Sequence, residues 1–244
     1  MTGASCTEKK SRPECLSTPV SGYRKMHDMR NARPDEPSGP DPTAVRVLLF
    51  DFGGVIAEEG FREGLQQLAR EQGLDPERIF QAGMDAVYDS GFVLGRGTAA
   101  DFWRLLRART GLRGDDATLS RRILKGFRVR PWMVEAIRRL RSAGYRTAIL
   151  SDQTHWLDTL IEENSLADLF DRIYNSYHLG KGKRDPSVFD DVARDLDVAP
   201  GEILFIDDSP ENVARARSRG LQGWVFTNRE AFEDLTSRLL AARA

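Results

Sequence analysis

Val45-Arg46-Val47-Leu48-Leu49-Phe50-Asp51-Phe52-Gly53-Gly54 is the stretch on which the fold turns. Its first six residues are apolar and strand-forming except for Arg46, and they run straight into Asp-x-Gly-Gly, a turn-forming sequence. A short continuous apolar run ending in a tight loop reads as a strand buried on both faces, the kind found in parallel sheets. Working outward, comparable runs recur at Tyr145 to Leu150, Ile203 to Ile206 and Gln222 to Phe226, each separated from the next by amphipathic helical sequence. Pro131 opens one such helix and Gly144 follows its last turn, with Val134, Ile137 and Leu140 on its buried face. Strand, loop and helix therefore alternate, which predicts an α/β fold: a Rossmann-like parallel sheet flanked by helices.

The first two runs stand far apart, with residues 51–144 between them, where a βα unit needs only a short connection. The excess predicts a small helical cap inserted after the first strand. Asp75-Pro76 reads as an N-cap with proline at the first helical position, and Thr98 with Asp101 as a capping box. Leu119, Ile123, Leu124 and Phe127 form an apolar stripe at helical spacing, and Phe102 and Trp103 are read as core of the insert rather than pocket lining. The expected organisation is a disordered tail over 1–43, a catalytic core over 44–57 and 128–244, and a cap over 58–127. The tail reading rests on Pro13, Pro19, Pro34, Pro37, Pro40 and Pro42, scattered among charges with no apolar period.

Bulk properties narrow the function classes. The 244 residues are 40% hydrophobic and 30% charged, with a formal net charge of -1. That balance supplies no general field to draw in nucleic acid or an anionic membrane. No apolar run approaches the roughly 18 residues of a membrane span, and the N-terminal stretch has the features of neither a secretory signal nor a transit peptide, so a cytoplasmic location is expected. Cys6 and Cys15, the two cysteines, lie in the tail outside any metal-binding spacing.

In an open α/β sheet, ligands bind beyond the carboxyl ends of the strands. Four polar groups occupy that place in order: Asp51-Phe52-Gly53-Gly54-Val55; Ser151-Asp152; Lys183-Arg184-Asp185-Pro186; and Asp207-Asp208-Ser209-Pro210-Glu211-Asn212. Singly they read as a turn, a helix cap, a solvated lysine and another cap. Together, with a helical insert after the first, they resemble the haloacid dehalogenase-like hydrolases over residues 45 to 228. The insert position and the Asp-Asp-Ser-Pro-Glu-Asn stretch are most similar to the branch holding the epoxide hydrolase N-terminal phosphatase domain and bacterial sugar phosphatases.

The resemblance implies hydrolysis of a small phosphorylated metabolite, with Asp51 attacking phosphorus to give an aspartyl-phosphate. It implies Mg²⁺ held by the Asp51 carboxylate, the Gly53 carbonyl and Asp208, with Asp207 acting through water or from behind and Asn212 orienting the acidic pair. Gly53, Gly54, Ser151, Asp152 and Lys183 form the implied phosphate-binding set; Ser151 donates to a phosphoryl oxygen and Lys183 offsets charge. Asp185 and Pro186 are read as structural.

One departure matters. Most phosphatases of this superfamily carry a second Asp two residues after the nucleophile, as general acid and base, and this chain has Gly53 there. Such catalysis is worth about 10² to 10⁴ in rate. Asp152, His155, Glu58 and Glu59 are the substitutes nearby in sequence, with Asp152 first because it adjoins Ser151. The same gap admits a metal-independent 2-haloacid dehalogenase, whose halide leaves unprotonated, or a catalytically weak module that binds a phosphorylated ligand or protein. The pair Asp207 and Asp208 argues for a cation and hence for the phosphatase. Incubating the protein with phosphate esters, acyl phosphates and a 2-haloacid, with and without Mg²⁺, separates these readings: metal-dependent phosphate release is expected.

Overall fold

The computed structural model describes residues 39–244; both cysteines lie outside them, as does the tail reading apart from residues 39–43. Five strands form one sheet in the order β3-β2-β1-β4-β5, all parallel: β1 (Val47–Phe50), β2 (Arg146–Ser151), β3 (Arg172–Asn175), β4 (Ile203–Asp207) and β5 (Gln222–Val225). The sequence order reverses at β1, between β2 and β4, and that switch point opens a crevice at the carboxyl ends.

Period-two alternation sorts β1 onto two cores. Val47 and Leu49 face Val188, Phe189, Val192 and Leu196 of α8 (Ser187–Leu196), together with Ala216 of α9 (Pro210–Ser218). Leu48 and Phe50 face the opposite layer, built from α5 (Pro131–Ser142), α6 (Trp156–Glu163) and α10 (Arg229–Ala241). A four-residue helix, α7 (Ser176–Leu179), follows β3. Because β1 is covered on both sides, all four of its residues are fully buried, which is why it reads as an unbroken apolar run.

Four helices lie between β1 and α5: α1 (Gly60–Glu71), α2 (Pro76–Asp89), α3 (Ala99–Thr110) and α4 (Asp116–Gly126), with a 3₁₀ turn at Phe92–Leu94. Their ends follow local chemistry. The Asp75 carboxylate accepts from the Arg78 N–H at 2.9 Å with Pro76 at the first position, and Thr98 and Asp101 form a reciprocal capping box. α1 packs on both α2 and α4, and Phe102 and Trp103 are fully buried. No helix among the described residues is long and apolar enough to cross a membrane.

The sheet core predicts its own sensitivity. Phe205 is fully buried and meets Phe189 edge-on at 5.2 Å between ring centroids. Phe205→Ala is expected to lower stability by about 3–5 kcal/mol, read as a lower denaturant midpoint at unchanged slope.

Candidate active site

Three adjacent strands end at one point. The Asp51 N–H donates to the Ile206 carbonyl at 2.9 Å, so the residue after β1 is held in register beside the end of β4. Ser151 closes β2 and Asp207 closes β4. The strand ends therefore bring Asp51, Ser151 and Asp207 together, although the chain separates them widely.

Asp51 is buried and fully engaged. Its Oδ1 accepts from the Ser151 hydroxyl at 2.8 Å and the Phe52 N–H at 2.7 Å, while its Oδ2 faces the Lys183 ammonium at 2.9 Å. Lys183, only 2% exposed, also reaches the Asp207 carboxylate at 2.6 Å. Asp207, fully buried, accepts further from the Ser209 N–H at 2.8 Å and from the Asn212 amide at 3.2 Å. Burial pushes the Asp51 carboxyl up to about 8, with Lys183 opposing and Asp207 adding to the rise. Burial works against the Lys183 ammonium, but Asp207, Asp51 and Asp152 outweigh it and its proton is held more tightly than in water.

Asp208 lies at the rim of this cluster. Burial and the neighbouring Asp207 raise its pKa. Gly54 adopts φ +80°, and a side chain there would collide with the Asp208 carboxylate, so only glycine lets the first loop close onto the fourth. Asp51, Asp207 and Asp208 can each bring a carboxylate oxygen within 4.8 Å of the others. Three carboxylates thus face one ammonium, leaving two negative charges without a partner in the cluster when all are ionised. An all-oxygen donor set with excess negative charge fits a hard divalent cation such as Mg²⁺.

The other sequence candidates separate cleanly. Asp152 is committed to architecture: it accepts from the Lys183 N–H at 2.8 Å and from the Tyr88 hydroxyl at 3.2 Å, tying the lysine loop to α2. His155 is exposed at the start of α6, its ring against Phe92 and Tyr177. Glu58 accepts two bonds from Arg130, at 3.2 and 2.9 Å, and that guanidinium holds its carboxyl below the usual range. Asp185 accepts from the Ser187 N–H at 3.0 Å at the start of α8.

Glu59 differs from all of these. Built onto Gly53, a Cβ atom would lie 3.0 Å from the Glu59 Oε2, with the Phe127 ring at 3.4 Å and the Gln153 amide at 3.5 Å. The Glu59 carboxylate therefore lies where a side chain two residues after Asp51 would begin. It makes no capping hydrogen bond to α1, although the Arg62 backbone N–H is near enough to oppose the rise in its pKa, and it lines the same cavity as Asp51, Ser151 and Lys183. Burial, with the Asp208 carboxylate adding to it, pushes Glu59 up to about 7. No local motif marks this residue; it reaches the site because α1 starts against Phe127 at the end of α4, where a side chain on Gly60 would strike the Phe127 ring and backbone.

Comparison with known proteins agrees with this geometry. Residues 45–220 match the family model for haloacid dehalogenase-like hydrolases, and the chain belongs to that family. A sesquiterpene phosphatase of Aspergillus oryzae is 29% identical over 193 residues, covering 76% of this chain and 92% of that protein. A D-ribitol-5-phosphate phosphatase of Bacteroides thetaiotaomicron is 38% identical over 61 residues, a match spanning 25% of this chain and only 30% of that enzyme. Among solved structures, a HAD family enzyme of Bacteroides thetaiotaomicron in complex with magnesium and inorganic phosphate superposes with a TM-score of 0.64 at 23% identity, covering 78% of this chain and 98% of that one.

The raised Glu59 pKa has a measurable consequence. The folded chain holds this proton to about pH 7, whereas the ordinary value is 4.5, so between those values the folded state binds more protons than the unfolded one. Stability must then fall as pH rises through that window. In metal-free protein, Tm is expected to drop between pH 5 and 7 by more in the wild type than in Glu59→Gln.

Proposed function

We propose that this chain is a magnesium-dependent phosphatase that hydrolyses the monoester of a small phosphorylated metabolite through phosphorylation of Asp51. The observation carrying this reading is the buried Asp51 carboxylate, oriented by Ser151 and the Phe52 N–H and set against Lys183, with two further carboxylates alongside. Such an arrangement suits an attacking group that must meet a phosphate dianion without repelling it.

Asp51, the Gly53 carbonyl and Asp208 would hold the metal, with Asp207 in support. When bound, Mg²⁺ neutralises the charge of the phosphoryl oxygens against the carboxylates. Lys183 contributes a fixed positive charge that keeps its proton, and Ser151 a hydroxyl donor, both at the carboxylate that attacks. An Asp51 oxygen bonds to phosphorus as the ester P–O bond breaks, and the departing alkoxide takes the proton of Glu59. Glu59, now a carboxylate, accepts a proton from the water that attacks phosphorus next, and the Asp51–phosphorus bond breaks to release phosphate. Glu59 thus supplies the proton carrier that Gly53 lacks. Asp152 loses its place as first substitute because two hydrogen bonds already occupy it. Residues 58–127 act as the cap that encloses the reacting groups.

Two variants test the proposal. Asp51→Asn is expected to abolish Mg²⁺-dependent phosphate release; metal-independent halide release from a 2-haloacid would establish the dehalogenase reading instead. Glu59→Gln should lower kcat/KM, which reports formation of the aspartyl-phosphate alone, by about 10² to 10⁴ for alkyl phosphates but far less for p-nitrophenyl phosphate, since nitrophenolate leaves without a proton. Equal losses of kcat/KM on both would remove Glu59 from protonation of the leaving group.

A further inference from the structure

The cavity above Asp51 has a volume of about 500 Å³, room for an organic group beyond the phosphate. Its lining is of two kinds. The strand ends and the loops beside them supply polar groups, Asp51, Ser151, Lys183 and Glu59. The wall from α1, α2, the 3₁₀ turn and α6 supplies Phe61, Phe80, Met84, Val87, Val93 and Trp156.

The polar groups among these wall elements are already engaged. From Phe61 to Val93 the lining contains no carboxylate or carboxamide, only the Tyr88 hydroxyl and the Arg62 guanidinium. Tyr88 donates to Asp152, and its ring lies 3.5 Å beneath the Arg184 guanidinium. Arg62 lies 3.7 Å over the Phe80 ring and pairs with Glu77 at 3.5 Å. On the core side, Thr154 Oγ1 accepts from the Trp156 N–H, Asn212 holds Asp207 and accepts from Arg215, and Ser209 donates to Glu211, while the Gln153 carboxamide lies beside Gly53 at the phosphate end, 3.5 Å from where a side chain there would begin. Both arginines are stacked face-on against aromatic rings, which leaves N–H donors at the edges of their planes and adds no acceptor to the wall.

A polyhydroxylated leaving group would turn its hydroxyls toward phenyl, thioether and isopropyl groups that cannot pair them. Each hydroxyl left unpaired on leaving water weakens binding, whereas each methylene placed there gains. We infer that the alcohol half of the substrate is an apolar chain or ring, and that the wall from Phe61 to Trp156 selects it over a sugar or polyol. This inference rests on the phosphatase reading above for the placement of the phosphate, while the selection itself belongs to the wall.

The test separates the two. Asp51→Asn protein with Mg²⁺ is titrated calorimetrically with methyl, butyl, hexyl and octyl phosphate and with sorbitol 6-phosphate, which has the hexyl skeleton with five hydroxyls. Kd is expected to fall two- to fourfold for each added methylene until the cavity is full, and hexyl phosphate to bind at least tenfold tighter than sorbitol 6-phosphate. Met84→Gln, close in shape and only partly buried, should flatten the chain-length slope in the same background. A flat slope in the parent, sorbitol 6-phosphate binding as tightly as hexyl phosphate, or no binding by any member overturns the inference. A retained slope in protein whose wild type turns over none of these esters would leave the wall standing and remove the phosphatase reading alone.

Discussion

The Lys183 ammonium between the Asp51 and Asp207 carboxylates is the interaction on which the site depends. All three groups are buried, and a buried charge without its partner is costly, so each requires the others to be in place. Lys183 in turn is placed by the Asp152 carboxylate on its backbone N–H, and Asp152 by Tyr88 of α2. One chain of contacts therefore runs from β1 and β4 through the lysine loop to the helices that follow β1. The parallel sheet serves this cluster: its switch point is where β2, β1 and β4 deliver Ser151, Asp51 and Asp207 side by side.

In the proposed reaction Glu59 replaces an acid at position 53, and the fold gives that exchange a structural logic. An aspartate at position 53 would hang from the nucleophile's own loop. Glu59 instead stands immediately before α1, close enough that its carboxylate and a Gly53 side chain would contend for the same space. On that proposal proton transfer is tied to the position of α1, and the segment that lines the pocket would also carry a reacting group. The two closures of the first loop are unlike. Gly54 is required by its left-handed backbone and by Asp208, while Gly53 leaves room that Glu59, Phe127 and Gln153 fill.

Much of this was legible in the sequence, for identifiable reasons. β1, β2 and β4 are marked because strands buried on two faces must be apolar along most of their length, β5 is marked at one edge of the sheet by Trp224, Val225 and the Phe226 that follows, and the helix caps at Asp75 and Thr98 are local chemistry. β3, Arg-Ile-Tyr-Asn, escaped because an edge strand with an exposed arginine has no such run. Asp51, Ser151, Lys183, Asp207 and Asp208 sit directly after strands or in their loops, so position and residue type point to them. Glu59 could be named only as a neighbour in sequence, since its place beside Gly53 is set by where α1 starts relative to Phe127. Asp152 looked available beside Ser151, and its prior engagement by Lys183 and Tyr88 is a tertiary fact. The apolar wall is likewise tertiary: Phe80, Met84 and Val87 have the spacing of an ordinary buried helix face and give no sign that part of it lines a cavity.

In the proposed reaction a covalent bond forms between Asp51 and phosphorus. Wild-type protein with Mg²⁺ and an acyl phosphate, quenched with borohydride in the steady state and digested, tests it by peptide mass. Reduction of an aspartyl-phosphate leaves homoserine, so the account predicts homoserine at position 51 and at no other aspartate. Rapid phosphate release with position 51 recovered only as aspartate would contradict it.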